Sequence, residues 1–200
     1  MKHTFGKHAK LAGITLAAVA AFAAFGTGTV QAATFASADL SLNSFGFLNC
    51  SFKETGLAAG AEVNYMCGAE AVGWVTECFV KNKPIGGSAP MLHVGKNVTT
   101  QQTLFATNRG TLTGTILTAY PTVEEEFEPA PCPHVVGGPG KAEVEVEETI
   151  TAIRWCNATL ADTTNNIVGA TASELLLQME RNGNGTVPAC DVLLASPPIP

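Results

Sequence analysis

Hydrolytic chemistry needs a nucleophile, a base and an acid that orients the base. Outside the first ten residues the chain has two imidazoles, His93 and His134, and three aspartates, Asp39, Asp162 and Asp191. The aspartates fall in an N-terminal polar stretch, a turn and the C-terminal tail. No Gly-x-Ser-x-Gly elbow accompanies them. His134 stands two residues after Cys132, which suggests a Cys/His pair. An exported cysteine in an even set is oxidised, however, so His134 reads as a loop histidine.

Paired carboxylates would serve a glycosidase, and glutamates are plentiful. Glu143, Glu145 and Glu147 recur at every second position, which places them on the solvent face of one strand. Glu124, Glu125, Glu126 and Glu128 form an acidic cluster without any Asp. Calcium loops favour mixed Asp, Asn and carbonyl ligands, which leaves calcium a secondary reading here. Trp74, Trp155 and Tyr65 could stack on sugar rings. Each lies in an apolar alternating run beside a cysteine, as core aromatics packed on disulfides do. Gly137-Gly138-Pro139-Gly140 lacks the Lys-Ser/Thr and helix of a phosphate loop. Asn49, Asn97, Asn157 and Asn184 open glycosylation sequons, short patterns that arise by chance in a Thr-rich chain. The sequence thus assigns no catalytic residue, no cofactor-binding residue and no metal ligand.

The cysteines carry the remaining chemistry. Cys50, Cys67, Cys78, Cys132, Cys156 and Cys190 form an even set without a Cys-x-x-Cys pair, which favours disulfides over a structural zinc site. Six cysteines allow 15 pairings, and spacing does not choose among them. Their context is export. Lys2, Lys7 and Lys10 precede an apolar, Ala-rich run of bacterial type, which ends in Val30-Gln31-Ala32. This is the pattern of a signal peptide over residues 1–32, and the run is short for a membrane span; an uncleaved N-terminal anchor is the alternative. Cleavage after Ala32 leaves eight Lys and Arg against seventeen Asp and Glu, a formal charge of −9. That balance disfavours nucleic acid and anionic membranes as partners. It leaves a protein or carbohydrate partner outside the cell or in the periplasm.

The elements that position these residues read as strands. Residues 33–44 are a flexible leader or a first edge strand. From Leu48, Cys50 and Phe52 share one face, and Asn49, Ser51 and Lys53 the other. After the turn 56–60, Val63, Tyr65 and Cys67 share a face. A symmetric hairpin about that turn would set Cys50 opposite Cys67, where a cross-strand bridge is possible. Val72, Trp74, Thr76, Cys78 and Val80 make a third run. Residues 81–90 and 121–140 are loops rich in Gly, Pro and Asn or Glu. Asn108-Arg109-Gly110 joins two Thr-rich runs as a β-hairpin with Gly at positive φ. Beyond Glu148 the apolar phase slips to Ile153 and Trp155, by a bulge or a strand break. Asp162 to Asn166 is a turn. Residues 173–180 have helical composition but a strand's position, and strand is preferred. The fold class is all-β, an antiparallel, disulfide-stapled β-sandwich of immunoglobulin-like type, over residues 45–180. Residues 181–200 form a tail tethered through Cys190.

Cys50-Ser51-Phe52-Lys53-Glu54-Thr55-Gly56-Leu57, then Cys78 before an Asn/Gly/Pro loop, Cys132-Pro133 and Asp162-Thr163-Thr164-Asn165 make a pattern over residues 48–170. It resembles that of a group of small secreted bacterial proteins of unknown function. The resemblance implies a β-sandwich in which Cys78 pairs with Cys132, and it implies no activity. Cys67, Cys156, Cys190 and the segment after Glu180 depart from it, and these cysteines are free to form bridges of their own. The expected function is a secreted, non-enzymatic interaction module. A structural subunit of a surface assembly and a small secreted hydrolase are the alternatives.

Overall fold

The computed structural model describes residues 32–85, 89–121, 132, 146–179 and 185–197. The signal-peptide run before residue 32, the acidic cluster Glu124–Glu128, His134, Glu143 and Glu145 lie outside the described residues.

Alternating sequence runs become strands of two antiparallel sheets. The smaller sheet has the order β1 (Thr34–Leu42), β2 (Leu48–Thr55), β6 (Leu112–Thr118). The larger is centred on β3 (Glu62–Val80), which is flanked on one side by β5 (Met91–Phe105) and the short β4 (Lys83–Pro84). On its other side lie β7 (Glu147–Asp162) and then β8 (Ile167–Gln178). The inward faces meet in a core that includes Leu48, Cys50, Phe52, Val63, Tyr65, Val72, Trp74, Ile116, Ile153, Trp155 and Leu160. The fold class is therefore the all-β sandwich, and residues 173–178 are strand. Among the described residues no helix is long and apolar enough to cross a membrane.

Three disulfides staple this frame: Cys50–Cys67, Cys78–Cys132 and Cys156–Cys190. The first joins the expected partners by a different route. β2 and β3 are not hydrogen-bonded neighbours, because they belong to different sheets, so the bridge crosses the core and pins sheet to sheet. The turn at Gly110 differs in the same way. Gly110 has φ +67°, and Thr107 and Thr111 are bonded across it. The flanking strands nevertheless part, β5 to the larger sheet and β6 to the smaller. Burial explains both corrections: strands with an apolar face on each side of a short connection cover more surface as opposed layers than as neighbours. The two crossings run side by side, with Leu57 N–H donating to Gly110 O at 3.1 Å and Ala106 N–H to Ala61 O at 2.9 Å.

Two boundaries also shift. Residues 34–42 are not a flexible leader but edge strand β1, in register from Thr34 opposite Thr55 to Leu42 opposite Leu48. Phe35 holds β1 down by packing edge-on against Phe52 and Tyr65 at 5.9 and 6.3 Å. Residues 81–90 open with a tight turn, Lys81 and Asn82 both at positive φ, which pairs β4 with the end of β3. That is the two-residue hairpin geometry matched to strand twist.

β3 is one strand of 19 residues, although its apolar phase changes midway. Val63, Tyr65, Cys67 and Ala69 face the smaller sheet, and after Glu70 the inward residues become Val72 and Trp74. Ala71 and Val75 turn to the opposite face. The neighbours change phase at the same level. Glu70 lies between Asn97 of β5 and Asn157 of β7, which in turn faces Ser173 of β8. Asn97 and Asn157 take φ +49° and +53°, the left-handed region that Asn tolerates better than other side chains do. A second slip in β7 leaves Thr151 without a register partner in β3, between Ile150 and Ala152, which accounts for the change of phase after Glu148.

The phase change leaves an apolar patch on the outer face of the larger sheet. The C-terminal segment covers it. Val187 and Leu193 pack with Ala71, Val75, Val94, Ala152 and Cys156. Leu193 belongs to the six-residue helix α1 (Cys190–Ala195). Lys96 Nζ donates to the carbonyls of Leu193 and Leu194 at 2.5 and 2.7 Å, neutralising the helix's negative end.

Candidate functional site

The two ends of the sandwich differ in chemistry. At one end the β1–β2 turn is closed by Asn43, whose Oδ1 accepts from Phe45 and Phe47 N–H. Above this turn a row of rings runs inward from solvent. Phe45, 67% exposed, meets Phe47; Phe47 meets Tyr120 at 5.3 Å; Tyr120 meets Trp74 at 5.4 Å; and Trp74 stacks on His93 at 5.3 Å. His93 is buried and exchanges a hydrogen bond with Thr76 Oγ1 at 3.0 Å. Burial lowers its pKa, with Glu148 as a smaller opposing influence, so the ring is held neutral.

The roots of both long connections reach this end. The segment 81–90 leaves β3 here and returns into β5 two residues before His93. The segment 119–146 opens with Ala119 and Tyr120 and re-enters at Glu147, opposite Phe79. Cys132, partway along it, is bonded to Cys78. Trp155 and Tyr65 are fully buried and Trp74 nearly so, so the core role expected of these aromatics holds. Of the row, only Phe45 is strongly exposed, and Phe47 and Tyr120 partly so. Phe45, Phe47 and Tyr120 were not singled out as sequence candidates. Their signal is an aromatic pair in a turn and a Tyr-Pro step, which becomes meaningful only once the fold joins them.

At the other end the two sequence motifs converge. Glu54, from the Cys50–Leu57 stretch, is fully buried and accepts from Tyr65 Oη at 2.6 Å. Asp162, from Asp162-Thr163-Thr164-Asn165, is also fully buried and accepts from Asn165 N–H at 3.0 Å and Asn165 Nδ2 at 2.5 Å. Asp162 stands in register with Tyr65, close enough for its carboxyl to act on that of Glu54. Desolvation raises Glu54 from 4.5 to about 7, with the neighbouring Asp162 adding to the rise and the Tyr65 hydrogen bond opposing it. Burial and the same carboxyls push Tyr65 up as well. Asp162 is thus a core acid besides opening its turn. The signal for both acids is phase: Glu54 continues Leu48-Cys50-Phe52, and Asp162 continues Ala158-Leu160.

The middle of the larger sheet carries a shallow depression of ≈ 470 Å³, lined by Glu70, Lys96, Asn97, Leu194 and Ser196. Three of its polar groups are engaged within the fold. Glu70 accepts from Asn157 Nδ2 at 2.9 Å, Lys96 holds the end of α1, and Ser196 Oγ donates to Val192 O. Glu147 is exposed at the start of β7. Asp39 lies in β1 opposite Ser51, and Asp191 sits in the first turn of α1. The described members of the sequence-level acid and base set, Asp39, His93, Asp162 and Asp191, are therefore not brought together.

Fold and site together define a disulfide-stapled all-β sandwich with one aromatic, loop-bearing end and one end closed over a buried acid pair. Compared with family models, curated proteins and solved structures, the chain matches none.

Proposed function

We propose that the protein is a secreted, non-enzymatic binding module that engages a protein or carbohydrate partner through the end carrying the aromatic row. The observation that carries this reading is the coincidence of Phe45, Phe47 and Tyr120 with the roots of both long connections, one of them tied down by Cys78–Cys132. Rigid aromatic rings beside anchored loops supply contact area at low entropic cost. Export is supported by three disulfides, which persist in oxidising compartments.

The test is binding of the oxidised protein to a glycan array and to immobilised extracellular proteins. Phe45→Ala should weaken binding at least tenfold, while Lys53→Ala, on the exposed outer face of β2, should leave it unchanged. Binding lost through Lys53 and kept in Phe45→Ala would overturn the reading. So would turnover by the purified protein on esterase, protease or glycosidase substrates.

A further inference from the structure

We propose that Glu54 and Asp162 share one proton and form a latch between the two sheets, which holds when the proton is present and loosens when it leaves. Glu54 belongs to the smaller sheet; Tyr65 and Asp162 belong to the larger. All three are fully buried. Tyr65 Oη occupies one oxygen of Glu54, and Oε1 has no hydrogen-bond partner among the described residues. An unpartnered buried carboxylate oxygen is costly. A proton on Oε1 turns it into a donor toward Asp162, whose carboxyl oxygens accept from Asn165. Two like carboxyls in one dry site cannot both ionise cheaply.

The groups around Glu54 reinforce this assignment. From β3 the facing group is Tyr65, and from β7 it is Asp162. In register with Glu54 stand Phe35 of β1 and Leu112 of β6, both uncharged. In register with Asp162 on β8 stands Ile167. Lys53 is exposed on the other face of β2. Among the described residues no basic side chain is bonded to either acid. Both latch residues also come from the sequence motifs, which explains why two stretches more than a hundred positions apart meet at one point.

The sign follows from linkage. Glu54 has a higher pKa folded than unfolded, so its contribution is complete below about 4.5 and is lost as pH rises through about 7. The oxidised protein should therefore lose folding equilibrium constant between pH 5 and 8, by up to roughly 100-fold. Glu54→Gln keeps an acceptor for Tyr65 and a donor for Asp162 without the titration.

Urea unfolding from pH 4.5 to 8.5 tests the latch. Buried His93 adds a slope of opposite sign below about 6.5 in both proteins, so the readout is the difference between them: relative to Glu54→Gln, the wild-type midpoint should fall as pH rises across that range. A difference that does not change with pH would overturn the proposal. If the variant does not fold, side-chain carboxyl NMR on the wild type decides. A Glu54 resonance that titrates near neutrality supports the latch, and one that titrates near 4.5 rules it out.

Discussion

Single residues here are constrained by what crosses close to them. Gly110 stands at φ +67°, and a Cβ there would lie 2.2 Å from the carbonyl oxygen of Leu57. That oxygen belongs to the other inter-sheet crossing, so the backbone cannot move away without parting Leu57 N–H from Gly110 O. Gly110→Ala should cost about 2 kcal/mol or more, from positive-φ strain and overlap together, read as a lower midpoint in denaturant unfolding. Asn157→Val should cost about 1–3 kcal/mol, because a β-branched residue tolerates the left-handed region poorly. It would also remove the amide that donates to Glu70 Oε2. The positive φ at Gly110 was legible from Asn-Arg-Gly, since local turn chemistry needs no tertiary information. The roles of Glu54 and Asp162 were not. Their positions continue apolar phases, but an acid in such a phase is also read as a strand end.

At the scale of elements, alternation was legible within each run and misleading between runs. The core phases of β2 and of each half of β3 match the periodicity. The link between the halves of β3 did not show, because the phase change at Glu70 imitates a break between two strands. Neighbouring strands make that change possible by changing together, with Asn97 and Asn157 level with Glu70, and no single strand's sequence contains that information. Partition between sheets was hidden for a similar reason: a short connection reads alike whether its strands pair or oppose. The tail illustrates a further dependence. Residues 185–197 cover Gly73, where an added Cβ would meet Leu193 and Val187 within 2.9 Å. Cys156–Cys190, at a separation of 34 residues, fastens this cover. Replacing both cysteines by Ser should lower stability by about 3–4 kcal/mol on loop-entropy grounds. It should also make residues 185–197 the first site of limited proteolysis, mapped by mass spectrometry.

For the whole molecule the disulfides divide the work. Cys50–Cys67 joins the sheets, Cys78–Cys132 fixes a long connection, and Cys156–Cys190 holds the outer cover. Peptide mapping without reduction should recover these three pairs and no others. The Cys78–Cys132 pair is the one that the family resemblance implied. The all-β class was legible from many short alternating runs separated by turns. The two distinct ends were not, because each is assembled from segments far apart in sequence.

The central position of β3 has a consequence in time. Its hydrogen-bonded neighbours β5 and β7 both lie later in the chain, and Tyr65 must wait for Asp162. A chain delivered from its N-terminus would present β3 with one side unmatched until residues 147–162 arrive. Contacts of such long range fold slowly, in milliseconds to seconds, and an unmatched strand edge invites pairing with other chains. Chains truncated before residue 147 should therefore aggregate in light scattering, whereas full-length chains with intact disulfides should refold as monomers within seconds in stopped-flow fluorescence.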